Sequence, residues 1–317
     1  MGTCLNRGNR DKLTLSEYIC IHKTEAMRVA GFTIIRNAIQ YDYPVLESIR
    51  SVLPICDVFY IGLGASEDET AKYLTQLNSS KIRIINSIWD DTLREGGRVL
   101  AEETNKVFRQ IPGEYDWVFY IQADEVIHER DHSVIVDAMH EYLGNTQVEG
   151  LLFRYKHFYG SYHFIAESPK WYRHEIRVIR NTKTIFSYRD AQGFRKEPNQ
   201  KLRVKSIDAA VYHYGWVKDP IKMQKKYSDF QKLWHDDQWI EQNIVDKQQF
   251  EYDRHIESLI PYEDSHPKVM LPRIEKQTWS FDFDPAFTHY TMKNRFRNWV
   301  ERWTGYRLWE YKNYKKI

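Results

Sequence analysis

Residues 117–125 read Trp117-Val-Phe-Tyr-Ile-Gln-Ala-Asp-Glu125. Apolar residues in an unbroken row, without polar alternation, describe a strand buried on both faces, and such strands belong to parallel sheets covered by helices. The row ends in two adjacent carboxylates. Upstream, the same texture recurs at Val29 to Ile35, Asp57 to Leu63 and Ile82 to Ile85. Between these runs lie helical patterns. Val45, Leu46, Ile49 and Leu53 keep helical spacing, Ser66-Glu-Asp-Glu69 has the form of a capping box opening a helix through Leu77, and Thr92-Leu-Arg-Glu95 leads likewise into Val99, Leu100, Thr104, Val107 and Phe108. Strands alternating with helices predict an α/β domain whose ligands sit beyond the carboxyl ends of the strands. The segments there are Arg36-Asn37, Gly64 to Thr70, Trp89 to Gly97 and Gln122 to Glu125.

Downstream of a helix predicted over Ser133 to Leu143 the pattern opens. Gly150 to Phe158, Glu175 to Arg180, Lys183 to Tyr188 and Val204 to Tyr212 read as strands in partial alternation, and Asp219-Pro220 supplies an N-cap followed by proline at a first helical position. The chain has 317 residues, 42% hydrophobic and 15% aromatic, enough apolar surface to exclude disorder. Its 46 Lys and Arg stand against 44 Asp and Glu, so there is no overall cationic excess to serve a nucleic-acid partner. Cys4, Cys20 and Cys56 are scattered, which predicts neither a disulfide framework nor a zinc site and fits a reducing, cytoplasmic setting. No run approaches ~18 uncharged apolar residues, so a soluble or peripheral protein is expected.

Asp124 and Glu125 have two readings. Carboxylates at a strand end can hold Mg²⁺ or Mn²⁺ against phosphates, or they can cap the next segment. Gly96-Gly97 can admit a ligand to the backbone or ease a turn, and Arg98 beside them can face a ligand or solvent.

The ordered set Phe32-Thr-Ile-Ile-Arg-Asn37, Gly64-Ala-Ser-Glu-Asp-Glu-Thr70, Gly96-Gly97 to Asn105 and Trp117 to Glu125 resembles the nucleotide-sugar-binding half of family 2 glycosyltransferases with the GT-A fold. The resemblance covers about Val29 to Trp216. It implies an α/β fold, a GT-A-type Rossmann-like mixed sheet flanked by helices, with a mixed second half and a C-terminal helical region. It also implies a transferase that moves a sugar from a nucleotide-diphosphate sugar to a glycan or lipid-linked acceptor hydroxyl, with inversion and a divalent cation, in glycan or cell-surface polysaccharide synthesis. Ser66, Asp68 and Thr70 match the tail of the family's second-strand motif, whereas Leu63 and Gly64 replace its leading carboxylates. The family's Asp-x-Asp stands here as Gln122-Ala123-Asp124. Carried over position by position, Arg36, Asn37, Ser66, Asp68, Gly97, Arg98, Gln122 and Ala123 would contact the donor, and Asp124 with the late His213 would hold the metal. For the catalytic base Asp190 is preferred, at a turn after 183–188, with Glu175 second and Glu197 a further carboxylate; the rival role for Asp190 is turn formation.

The implied division is an N-terminal extension over 1–28, a catalytic domain over 29–216 with its donor half at 29–130 and acceptor half at 131–216, and a helical, aromatic-rich region over 217–317. Lys218, Lys222, Lys225 and Lys226 are expected on a solvated helix face rather than on phosphates. Trp171, Tyr172, Tyr188, Tyr212, Tyr214 and Trp216 are expected near the acceptor side, as sugar-stacking surfaces. In the basic tail from Thr291, Phe296, Trp299 and Trp303 share one helical stripe, which predicts docking on the protein's own core, the alternative being peripheral contact with a membrane interface. Two rival functions carry their own marks. A sugar nucleotidyltransferase should show a glycine-rich loop after its first strand, where this chain has none, and a degenerate, non-catalytic carbohydrate- or membrane-binding protein is favoured by Gln122, Leu63 and Gly64.

Overall fold

The computed structural model describes residues 27–93, 95–243, 248–284 and 286–317. All but the last two residues of the expected N-terminal extension, including Cys4 and Cys20, lie outside the described residues. The first half runs β1 (Val29–Ile35), α1 (Val45–Val52), β2 (Val58–Gly64), α2 (Thr70–Leu74), β3 (Ile82–Ser87), α3 (Arg98–Gln110) and β4 (Trp117–Tyr120). β1 pairs in parallel with both β2 and β4, and β2 with β3, giving the order β3-β2-β1-β4. There follow β5 (Glu125–Ile127), α4 (His132–Glu141), β6 (Gly150–Tyr159), β7 (Ser161–Ala166), β8 (His174–Arg180), β9 (Ile185–Tyr188), β10 (Gly193–Lys196), β11 (Gln200–Trp216) and α5 (Pro220–Gln231).

The unbroken apolar run of β4 has a physical cause in this arrangement. Val118 and Tyr120 pack with Phe32, Val107 and Phe108 beneath α3. Trp117, Phe119 and Ile121 point the other way, to Val45, Ile49 and Met139 of α1 and α4. Each large side chain so buried contributes roughly 1.5–3 kcal/mol. β8 then enters antiparallel between β4 and β6, and β6 runs parallel to β11, extending the sheet through β8-β6-β11-β10-β9. A parallel half extended by one antiparallel strand into a mixed half is the GT-A-type Rossmann-like sheet that the strand-end motifs imply. The tail returns to this sheet: residues Leu259–Pro261 pair with β7 and Tyr314–Lys316 with β11.

The capping box predicted at Ser66 to Glu69 does not form, and the one at Thr92 to Glu95 includes side chains outside the described residues. α2 starts only at Thr70, because Ser66 and Asp68 spend their oxygens elsewhere: Ser66 Oγ accepts from the Asn37 amide at 3.1 Å, and Asp68 accepts from the amides of Gln40 at 2.7 Å and Thr70 at 2.9 Å. Thr92 meets Asp90, its amide 3.0 Å and its hydroxyl 2.6 Å from the carboxylate. α3 starts at Arg98, after Gly96 and Gly97 with φ of 60° and 71°, a left-handed conformation that glycine adopts without a Cβ clash. The predicted start of α5 is present, with Asp219 accepting from the Ile221 amide ahead of Pro220.

Candidate active site

The sheet order reverses at β1, which has β2 on one side and β4 on the other. A crevice is required beyond the carboxyl ends of β1 and β4. It is present as a cleft of about 760 Å³, a size suited to a small-molecule ligand. Arg36, Asn37, Gln122, Ala123, Asp124, Asp190 and His213 all line it. Glu175, Ser66, Asp68, Gly97 and Arg98 do not.

The loop after β1 forms one wall. Asn37 takes a left-handed φ of 53°, and its Oδ1 accepts from the Glu67 amide at 2.8 Å. With Ser66 on Asn37, Asp68 on Gln40 and Thr70 Oγ1 on the Ala38 amide at 2.8 Å, residues 66–70 pin residues 37–40 from behind. Ser66 and Asp68 therefore shape the wall. Arg36 turns into the cleft and meets Asp91 through two contacts of 2.6 and 3.1 Å, with Trp89 stacked 5.6 Å from its guanidinium.

Asp124 occupies the opposite wall. Its Oδ2 lies 3.6 Å from His213 Nε2 and 3.3 Å from Lys226 Nζ, while the Tyr214 amide donates to its backbone oxygen. Burial pushes this carboxyl upward, but Lys226 and His213 outweigh it and hold the group well below the ordinary carboxylate range. His213 comes from β11, where it faces Glu125 of β5 across the ladder, and its Nδ1 is 3.2 Å from Nδ1 of His157, whose Nε2 contacts the Tyr172 carbonyl at 3.0 Å. Burial and the neighbouring His213 lower the pKa of His157, which keeps that ring neutral and able to orient its partner. Among the described residues no group of three or more His, Cys, Asp and Glu is placed to hold a metal. The pair Asp124 and His213 is nonetheless a donor set compatible with Mn²⁺ or Mg²⁺, with the ammonium of Lys226 standing on Oδ2 where such an ion would compete with it. Phosphate oxygens and water would complete the coordination, as such ions commonly require.

Glu125 is not part of that set. It forms a fully buried ion pair with Arg177, with contacts of 2.5 and 2.6 Å, and accepts from the Tyr155 hydroxyl. The pair anchors the start of β5 against β8. Arg173 is equally committed, to Glu301 and Glu310, so the cations of 171–177 do not reach a ligand in the cleft.

Asp190 enters the cleft from the turn between β9 and β10, and burial pushes its pKa upward. Gln122 ties this turn to the end of β4, its Nε2 donating to the Ala191 carbonyl at 3.1 Å. Gly97 braces it from below, since a Cβ there would stand 2.9 Å from Cβ of Asp190. Glu175 lies in the wall behind, its Oε2 3.8 Å from Arg177 but without a hydrogen bond, and its pKa is pushed up to about 8 chiefly by burial, against the pull of Arg177. Arg98 faces a separate groove with Arg109 and Arg189 and pairs with Glu102 at 3.7 Å.

Two expectations are corrected here. Lys222 and Lys225 are half exposed, but Lys218 is fully buried and Lys226 nearly so, the two ammonium groups lying 4.7 and 5.0 Å from the Tyr43 ring beside Asp124. Their chain bends inward after β11 and carries them beneath the site, which a solvated-face reading of α5 misses. Of the six aromatics expected at the acceptor side, Tyr172 and Trp216 line the cleft, whereas Tyr212 and Tyr214 stack on Phe158 within the core. Strand alternation sends His213 toward the cleft and its neighbours away. A register shift between His213 and Trp216 then restores Trp216 to the cleft side. Tyr188 lies in the Arg98 groove. The sequence marks Trp89 and Asp91 only as part of the segment after the third strand, and it does not single out Tyr43 or His157, each a lone residue without a motif around it.

No family model matches the chain, and no curated protein matches it in sequence. Solved structures are similar to it at low identity. A TarS form spanning 1–349 from S. aureus shares 10% identity with a TM-score of 0.37, covering 64% of each chain. Glucosyl-3-phosphoglycerate synthase from Mycobacterium tuberculosis, solved with Mn²⁺, UDP and glucosyl-3-phosphoglycerate, shares 13% with a TM-score of 0.29 over 48% of this chain and 50% of that one. Mannosyl-3-phosphoglycerate synthase from Rubrobacter xylanophilus shares 14% with a TM-score of 0.29, covering 44% of each. The chain spans less than two thirds of the length of these structures, and 39% of a longer TarS chain.

Proposed function

We propose that this protein is a glycosyltransferase that takes a nucleotide-diphosphate sugar and transfers its sugar to an acceptor hydroxyl, a glycan or a lipid-linked one, in glycan or cell-surface polysaccharide synthesis. The observation that carries the reading is the convergence of Asp124, His213 and Asp190 on one cleft at the switch point of the sheet. Asp124 and His213 would hold a divalent cation there, which when bound would supply positive charge against the departing diphosphate. Asn37 and Arg36, with Trp89 beside them, form the nucleotide end of the cleft. Tyr172 and Trp216 offer ring faces to a sugar. Asp190 takes the proton of the acceptor hydroxyl as its oxygen attacks the anomeric carbon from the face opposite the leaving group, which inverts the configuration.

The test is transfer or hydrolysis across a panel of nucleotide sugars with Mn²⁺ or Mg²⁺, comparing wild type with Asp124→Ala. Loss of at least about 100-fold in kcat/KM is expected, in line with removal of a group that stabilises developing charge. Full activity in the variant would exclude Asp124 from the reaction, and absence of donor binding by wild type would overturn the assignment as a transferase.

A further inference from the structure

The helix Met292–Thr304 turns its apolar side outward. Met292, Phe296, Trp299 and Trp303 fall on one face and are 81%, 51%, 57% and 77% exposed. The expected docking of this stripe on the core does not occur, because the helix is held to the domain through its polar side. Asn294 is buried and donates to Glu257 at 2.8 Å, and Glu301 accepts from Arg173 at 2.9 Å and Arg307 at 2.7 Å. Phe296 stacks on Trp299 at 6.3 Å and Trp299 lies 6.4 Å from Trp303, so the rings form one ribbon facing solvent, continued by exposed Tyr306 and Trp309.

Charge identifies the occupant of this face. Residues 291–317 carry eight Lys and Arg against two Glu, an excess of six in a chain whose net charge is +2. Both glutamates are already engaged by Arg173, while Lys293, Arg295 and Arg302 remain exposed on the flanks of the stripe. Aromatic rings along one side with cations on both flanks suit the boundary between acyl chains and anionic headgroups. A second copy of this chain would oppose two cationic tails, which disfavours self-association. The tail is also continuous with the cleft: Arg307 donates to the Trp171 carbonyl at 2.7 Å, and the next residue, Tyr172, lines the cleft.

We propose that the Met292–Trp303 face docks the protein on an anionic phospholipid surface. The test is flotation of the full chain with phosphatidylcholine vesicles, with and without phosphatidylglycerol; it needs no donor, so it stands apart from the transferase reading. Wild type is expected to float with the anionic vesicles, with a blue shift of tryptophan emission, and to be released by high salt. The variant F296A/W299A/W303A, and separately K293E/R295E/R302E, should each lose at least about tenfold in vesicle affinity with an unchanged unfolding midpoint. Trp303→Ala alone, at the most exposed ring of the three, should show a smaller loss and covers the case of a triple variant that folds poorly. Failure of wild type to float with anionic vesicles overturns the proposal, as does flotation unaltered by these variants. A dimer dispersed by the aromatic variant, without vesicle binding, also overturns it and assigns the face to a second copy.

Discussion

Asp190 brings a carboxyl with an upward-shifted pKa to the edge of a cleft, and burial is the main cause of that shift. A base so placed must be ionised to work, so transfer should decline as the pH falls through this raised value. Asp190→Asn should keep donor binding, measured by calorimetry, while transfer drops by about 10²–10⁴-fold; normal turnover would remove it as the base. Glu175 makes a different prediction, about stability. Its ordinary pKa of 4.5 rises to about 8 in the folded chain, so between these values the native state holds a proton that the unfolded state releases. Stability is therefore fully present below about 4.5 and is lost as the pH rises through about 8. Glu175→Gln removes the titrating group while keeping a hydrogen-bonding side chain, and should raise the unfolding free energy by on the order of 5 kcal/mol at alkaline pH and by little near pH 4.5. Denaturation at the two pH values checks this, and an equal effect at both would assign the burial energy to something other than ionisation.

The turn between β9 and β10 and the start of α3 meet where Gly97 lies against Asp190, and the Gly97 amide also ties α3 to the residues after α5 by donating to the Leu233 carbonyl at 3.2 Å. Gly97→Ala adds a Cβ at a φ of 71° and 2.9 Å from Asp190. A cost of about 1–2 kcal/mol is expected from the left-handed backbone, together with a fall in kcat larger than any rise in KM if the displaced group is the base, as proposed. Thermal unfolding and steady-state kinetics separate the two effects. At this scale the sequence was readable where physics is local and repetitive. The runs ending at Ile35, Leu63 and Ile121 announce buried parallel strands, and the ends of two of them supply Asn37 and Asp124. It was unreadable where the deciding contact spans the fold. Ser66 and Glu69 have capping-box form, yet Ser66 is spent on Asn37, 29 residues earlier. Lys226 looks like one of several solvated lysines, and only the path of the chain after β11 sets it on Asp124, 102 residues away. The exposure of Trp299 is likewise set by what anchors the other side of its helix, which periodicity does not encode.

Across the whole molecule, the two walls of the cleft come from distant parts of the chain: the loop after β1 on one side, and β11, α5 and the β9–β10 turn on the other. Tyr41 and Asp229 meet across it at 3.2 Å, and Lys218 donates to the Asp42 carbonyl at 2.8 Å. A ligand spanning Arg36 and Asp124 would touch both walls of the cleft, and would bind the native state alone. Its effect on stability follows from mass action, about 2.7 kcal/mol at a ligand concentration 100 times Kd. A productive nucleotide sugar should therefore raise the unfolding temperature of wild type, and more so with Mn²⁺ than without if the cation bridges Asp124 and the diphosphate. Asp124→Ala should lose the Mn²⁺-dependent part of the shift. Arg36→Ala should weaken the shift with and without metal, because it alters the proposed nucleotide end and leaves Asp124 and His213 intact. If Mn²⁺ adds an equal increment in wild type and in Asp124→Ala, the ion binds elsewhere and Lys226 is the cation that serves Asp124.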